Sequence, residues 1–343
     1  MNKAKKRVTI KDIANKCQTT ANTVSRALRN DPGISAVTTQ KIQQTAKEMG
    51  YIRNGLASAM RSSKSKLISI IVEDVDNPHN SMLIEKMDCI LKDEGYDIII
   101  LSTQANASKK FRMASLSVSL FVDGILYFPS IDDKAIVDML KINHIPFVFV
   151  ERGVDGIEAD IVRCDDYQGG VIAADYLLGF GHRSFLYLGG PQKNGAQPLR
   201  QTGFVNRLLQ CGVQPSDIAV LDEETVYQSI REDRIMDILR NIKFTGAFAF
   251  NDQIAYHAIN ALRYEGRSVP GDVSIIGFDY IKGALAYLQP LTSIASTDMG
   301  DMASRIVSLL LRRIHNSDAS YVTEILPVSL HEKESTVSAP RFT

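Results

Sequence analysis

The chain has 343 residues, enough for more than one domain, with an ordinary globular balance of 45% hydrophobic and 23% charged residues. Its longest apolar runs, ISIIV (68–72) and IPFVFV (145–150), are strand-sized and exclude a bilayer-spanning helix. The zero net charge is segregated: residues 1–66 carry 14 Lys/Arg against Asp12, Asp31 and Glu48, a net of +11, and the remainder is net −11. The front of the chain is therefore drawn to a polyanion.

MNKAKKRVTIKD has a basic start with no apolar stretch behind it, so no export signal is read and a cytoplasmic protein is expected. Cys17, Cys89, Cys164 and Cys211 are scattered without CxxC or Cys/His spacing, which reads as reduced thiols with no metal site and no cofactor.

In chain order, Ile10, Ile13, Ala14 and Cys17 fall at helical spacing, with Thr9 and Asp12 placed as a capping box. A turn at 18–20 follows. Thr20 caps a second helix bearing Ala21, Val24, Ala27 and Leu28, ended by Asp31-Pro32-Gly33. Thr38 or Thr39 opens a third, with Ile42, Thr45, Ala46 and Met49, stopped at Gly50. A bundle this small is marginal alone, so its use lies on its surface.

Past a short linker at 62–65 the pattern changes. Apolar runs at 67–72, 97–101, 123–128 and 146–150 alternate with helical stretches at 80–94, 108–120 and 132–142. The rhythm then resumes, with helices at 168–178, 200–211, 227–241 and 252–265, and strands at 185–189, 218–221, 246–250 and 273–278. The fold class is α/β: an all-α helix-turn-helix headpiece followed by two doubly wound parallel α/β lobes. Ligands in such lobes bind beyond the carboxyl ends of the strands, which puts a site in the cleft between them. No GxGxxG or GxxxxGK[ST] follows a strand, against a dinucleotide or nucleotide site.

VTIKDIANKCQTTANTVSRALRNDPGIS (8–35) and KEMGYIRNGLASAM (47–60) resemble the lactose-repressor (LacI-type) family of bacterial transcription regulators. DNPH (76–79), VDGIL (122–126), GHRSFLYLGGP (182–191), NDQIA (251–255), VPGDVSIIGFD (269–279) and PLTSIAS (290–296) extend the likeness along the whole chain in family order. The resemblance implies a headpiece over 1–53, a hinge helix and linker over 54–66, and a periplasmic-binding-protein-like effector domain. Its N-lobe is expected at 67–162 plus 292–343 and its C-lobe at 163–291.

The resemblance also gives the second helix a purpose, since it is the size that enters a major groove. Ala21, Asn22 and Arg26 are then the base contacts, Asn suiting adenine and Arg guanine. Thr9, Thr20, Thr23 and Ser25 are hydroxyls placed for phosphates, or plain caps. The turn departs from the family: Gln18 stands where Gly is usual, so a left-handed backbone there is strained. In the hinge, Asn54 caps, Ala57 permits close approach of two helices, and Met60 takes the place of a leucine that wedges between base pairs in the minor groove.

In the effector domain Arg200, Asn251 and Asp279 match family positions that hydrogen-bond a ligand, although Asp279 also suits a brace at its strand end. His79, Asn80 and Arg152 are further candidates, and Tyr127 and Phe128, ending the third strand, offer rings for stacking or pack the cleft wall. Glu151-Arg152 resembles the family's acid–Arg pair, or forms an internal ion pair.

The expected function is a sequence-specific regulator, a repressor, whose affinity for palindromic double-stranded operator DNA is set by a small carbohydrate effector. It is expected to act as a homodimer, with no membrane partner. Two alternatives stand beside it: a solute-binding protein without DNA function, and a co-repressor-dependent catabolite regulator that binds a phosphorylated partner protein. An enzyme is not expected, because the histidines at 79, 144, 182, 257, 315 and 331 form no catalytic order with Ser and Asp.

Overall fold

The computed structural model describes residues 8–52, 64–104, 106–231, 234–281, 289–296 and 298–339. The hinge residues Asn54, Ala57 and Met60 lie outside them. The chain divides into two compact units, 1–63 and 64–343.

In the first unit α1 (Ile10–Cys17), α2 (Ala21–Ala27) and α3 (Ala36–Glu48) enclose Ile13, Ala14, Cys17, Val24, Ala27, Ile42 and Ala46. Thr9 accepts the Asp12 N–H while the Asp12 carboxylate accepts the Thr9 N–H, completing the capping box expected there. The third helix starts earlier than Thr38 or Thr39 suggests. Ser35 is its cap, accepting the Thr38 N–H, which places Thr38 inside the first turn.

α1 ends in a left-handed residue, Gln18, at φ 55° and ψ 48°. Its N–H reaches back to the carbonyls of Ala14 and Asn15. That geometry closes the turn into α2, and a side chain bearing Cβ occupies it at a cost that glycine avoids.

The second unit contains two parallel sheets. One runs β11-β5-β4-β3-β1-β2, from β1 (Leu67–Val72), β2 (Asp97–Ser102), β3 (Gly124–Tyr127), β4 (Phe147–Val150), β5 (Ile161–Cys164) and β11 (Thr323–Leu326). The other runs β12-β10-β9-β8-β6-β7, from β6 (Phe185–Leu188), β7 (Ile218–Leu221), β8 (Gly246–Ala249), β9 (Ser274–Phe278), β10 (Thr292–Ser296) and β12 (Val328–His331). Only β12 is antiparallel among the described pairings.

Against the first sheet lie α4 (Pro78–Asp93), α5 (Ala107–Ser119), α6 (Lys134–Ile142) and α12 (Met299–His315). With the second go α7 (Asp166–Gly179), α8 (Ala196–Gln210), α9 (Glu223–Arg231), α10 (Ile235–Arg240) and α11 (Asp252–Tyr264). The single helix expected at 227–241 is two helices.

The expected lobe boundaries need correction: β5 runs on to Cys164 in the first sheet, so 163–164 belong to the N-lobe rather than the C-lobe. Residues 292–296 form β10, which pairs with β9 in the second sheet rather than joining the N-lobe. β12 pairs with β10, so 328–331 belongs there too. The chain passes between sheets after β5, after β10 and at Pro327, and only α12 and β11 of the C-terminal segment return to the first lobe. Among the described residues no helix is long and apolar enough to cross a membrane.

Replacing Gln18 by Gly removes the left-handed strain and is expected to stabilise the helical unit by about 1 kcal/mol. Hydrogen exchange on the full chain checks this: amides of 13–17 and 24–28 should gain protection. Equal or lower protection contradicts it.

Candidate functional sites: a helix face and an interlobe cleft

On α2 the apolar residues Val24 and Ala27 are buried, which leaves Asn22 exposed and Ala21, Thr23, Ser25 and Arg26 partly exposed beside it. Thr9 and Thr20 are N-caps. The Thr9 hydroxyl donates to Asp12 at 2.7 Å, and the Thr20 hydroxyl accepts the Thr23 N–H at 3.1 Å and meets the Thr23 hydroxyl at 2.9 Å. Arg26 does not extend freely from the helix. Its Nε and Nη2 donate to the two carboxylate oxygens of Asp31, each at 3.0 Å.

In the second unit the charged groups collect at the carboxyl ends of the strands. Arg200, on the first turns of α8, is buried; its Nε donates to Asp166 at 2.8 Å and its Nη1 to the Phe250 carbonyl at 2.6 Å. Asp279 Oδ1 lies 3.8 Å from Nη1, and the Phe278 ring centroid sits 3.4 Å from the guanidinium carbon. Two glycines make this possible. A Cβ on Gly170 would stand 2.2 Å from the Arg200 carbonyl, and one on Gly203 would stand 2.1 Å from the Tyr167 carbonyl. Only bare backbone lets α7 and α8 come close enough to join Asp166 to Arg200.

From the first lobe His79, in the opening turn of α4, donates from Nε2 to Glu151 at 2.5 Å. Burial opposes the charged imidazolium, but Glu151 and Asp279 outweigh it and raise the His79 pKa to about 9. Its Nδ1 is buried without a partner. Burial also raises Asp279 to about 6, against the pull of His79 and Arg200. Asp252 is raised to about 8 by burial and by Asp279; it accepts from the Ser293 hydroxyl at 2.6 Å and the Ile281 N–H at 2.8 Å. Glu151 (φ 65°), Asp279 (φ 106°) and Tyr280 (φ 49°) hold left-handed backbone at or just past the ends of β4 and β9. Such strain persists where surrounding structure fixes it and collects at binding sites.

The structure thus brings Arg200, Asp279 and His79 together, with Glu151 and Asp166. Asn251 borders them as the N-cap of α11, its side chain accepting the Ile254 N–H at 2.9 Å. Arg152 faces Glu73 (3.4 Å) rather than Glu151, and its Nε is buried and unpartnered. The internal Glu151–Arg152 pair does not form. Asn80 commits its Nδ2 to the Asp74 carbonyl at 2.7 Å, bracing its own loop.

The two rings expected to stack are corrected. Tyr127 and Phe128 are fully buried, and the Tyr127 hydroxyl donates to Asp133 at 2.6 Å. Asp133 joins a buried network with Lys110, Ser130 and Glu73, so neither ring offers a face to the cleft. Asp166, Asp252 and the Phe278 face were missed in the sequence.

Open space lies beside the charged cluster. A cavity of about 720 Å³ is lined by Glu151, Arg152, Asp155, Asp166, Ala196 and Tyr321, among others. Over it the lobes meet: the Ile131 N–H donates to the Lys193 carbonyl at 3.0 Å, and the Lys193 ammonium pairs with Asp132 at 2.6 Å. Cys164, in the cluster, has its thiol pushed far up by burial and does not act as a thiolate. Chemically, the arrangement offers a polar molecule guanidinium donors and acceptor carboxylates.

Residues 9–54 match the bacterial regulatory proteins of the lacI family, and 174–336 match a periplasmic binding protein-like domain. The chain is 30% identical over 292 residues to the HTH-type transcriptional regulator DegA of Bacillus subtilis, covering 84% of this chain and 86% of that one. A lac repressor dimer bound to operator and an anti-inducer has a TM-score of 0.78 over 97% of this chain and all of its own; at 22% identity the likeness concerns the fold. A periplasmic binding protein/LacI transcriptional regulator of Alkaliphilus metalliredigens, complexed with D-xylulofuranose, is 27% identical with a TM-score of 0.69. It covers 80% of this chain and 100% of that one.

His79 bears on stability through its charge. Its folded pKa of about 9 lies above the ordinary 6.5, so its contribution is full below pH 6.5 and is lost as pH rises through 9. The stability difference between the natural protein and His79→Gln should therefore shrink across that window in thermal melts. A difference that stays constant or grows with pH contradicts the pairing.

Proposed function

The chain belongs to the lacI family of bacterial regulatory proteins, which are DNA-binding transcription regulators, and we propose that it is a repressor whose hold on a palindromic operator is set by a sugar or sugar derivative bound between its lobes. The observation that carries the ligand half is the convergence of Arg200, Asp279 and His79–Glu151 from both lobes beside an open cavity. Hydroxyl groups need this mixture of donors and acceptors, and the sugar-bound regulator of A. metalliredigens supports the class. Arg200, Asn251, Asp279, His79 and Arg152 are the proposed ligand contacts, with Asn80 holding the loop.

For DNA, the exposed face of α2 is proposed to lie in the major groove, with Ala21, Asn22 and Arg26 at base edges. Thr9, Thr20, Thr23 and Ser25 face phosphates, Thr9 and Thr20 while they cap, and in the minor-groove hinge Met60 is the proposed wedge, with Asn54 as cap and Ala57 as the close-approach residue. The +11 charge of residues 1–66 supports this docking. A homodimer matches two half-sites, and the compartment is the cytoplasm, where the chromosome is. The protein acts by binding, with no turnover proposed.

The coupling needs two lobe arrangements for which the ligand has different affinities. The Lys193–Asp132 and Lys193–Ile131 contacts hold the lobes together in one of them.

Two substitutions separate the halves. Arg26→Ala should relax preference at one operator position by about 1–3 kcal/mol, seen in shift assays with single-base variants. Asp279→Asn keeps side-chain size but loses a charge-assisted acceptor, worth about 1.5–3 kcal/mol. It should weaken the best sugar found in a thermal-shift screen of pentoses, hexoses, disaccharides and nucleobases while leaving ligand-free operator binding unchanged. Equal ligand affinity in Asp279→Asn removes the cleft cluster from the reading.

A further inference from the structure

The sequence Arg26-Ala-Leu-Arg-Asn-Asp31-Pro-Gly33 closes on itself. Asp31 binds Arg26 along the side of the guanidinium, taking Nε and one hydrogen of Nη2 at 3.0 Å each. Asp31 is in turn fixed by the Gly33 N–H, which donates to Oδ1 at 2.9 Å. Gly33 also makes the room: a Cβ there would stand 2.2 Å from Arg26 Nη2 and 3.1 Å from Asp31 Oδ1. Its backbone is not left-handed, so conformational freedom is not what requires glycine.

A guanidinium has five N–H donors. With Nε and one Nη2 hydrogen engaged by Asp31, the remaining Nη2 hydrogen and both on Nη1 are left. The remaining Nη2 hydrogen and one of those on Nη1 form the end-on fork, for which no protein partner exists among the described residues. Two parallel N–H groups in that fork are the geometry that guanine O6 and N7 accept. An unrestrained arginine carries much rotamer entropy, and a held one loses less of it on contact.

We infer that Asp31 is a positioning residue for base recognition, holding the Arg26 fork toward a guanine in a pocket that Gly33 keeps open. This rests on the reading that α2 enters the major groove, and it adds a residue that itself touches no base.

The test uses the full-length protein. A preferred duplex is selected from a random library, and single-base variants of it locate the pair whose preference collapses in Arg26→Ala. At that pair Asp31→Ala should lose about tenfold in discrimination. Preference at other pairs should be kept, and affinity for random duplex should be equal or higher, since an acid near phosphates is gone. Asp31→Ala added to Arg26→Ala should have no further effect at that pair. Gly33→Ala, which retains Asp31 but displaces the guanidinium, should lose the same pair.

If Arg26→Ala changes no pair, the docking fails and the inference falls with it. If Arg26→Ala does so and Asp31→Ala leaves that pair's discrimination intact, or sharpens it, the inference alone is overturned. Loss at every pair alike would mark a folding role for Asp31 and equally overturn it.

Discussion

A guanidinium taken out of water must find partners for its donors and a countercharge, and in the second unit this requirement falls on Arg200. Asp166 supplies the charge, the Phe250 carbonyl takes Nη1, and the Phe278 ring covers the plane. Each partner comes from a different element: α7, the end of β8 and β9. The approach of α7 to α8 through Gly170 and Gly203 is part of the same solution. What remains unsettled around Arg200 is a surplus of carboxylates. Asp279 is only loosely paired at 3.8 Å and, like Asp252, is raised by burial. A site satisfied around Arg200 and underpaired at Asp279, His79 Nδ1 and Arg152 Nε is suited to a ligand rich in hydrogen-bonding groups.

The helical unit solves a different problem with similar means. Its core is limited to a few side chains around Ile13, Val24 and Ile42, so local devices matter more: the Thr9–Asp12 box, the Thr20 and Ser35 caps, and the Asp31 clamp on Arg26. Working against them is left-handed backbone at residues bearing a Cβ, Gln18 in the turn after α1 and Asn30 after α2. These caps also hold the hydroxyls proposed to meet phosphates, so one set of residues serves both stability and docking.

What could be read from the sequence follows the range of the interaction. The Thr9–Asp12 box and the Gln18 turn involve residues at most four apart, and both were legible. β1 and β7 match their expected bounds because a run of branched apolar residues between breakers has few other uses. The start of α3 is ambiguous in the sequence because Ser35, Thr38 and Thr39 are all competent caps. The lobe of the strand at 292–296 is not legible locally, because its register with β9 is a tertiary fact. Asp166, 34 residues before Arg200, and Glu151, 72 residues after His79, carried no local sign of their partners. A strand-end position at Tyr127 suits a stacking ring or a wall-packing one alike, and says nothing of Asp133, which captures its hydroxyl.

The central claim is that occupancy of the cleft and grip on DNA are one equilibrium. Linkage makes this reciprocal: whatever factor a ligand imposes on duplex affinity, the duplex imposes on ligand affinity. Titration calorimetry of the full chain with its best sugar, with and without saturating selected duplex, measures that factor from the ligand side. The account expects it to equal the change in duplex affinity caused by the sugar. A ligand affinity untouched by the duplex would contradict it.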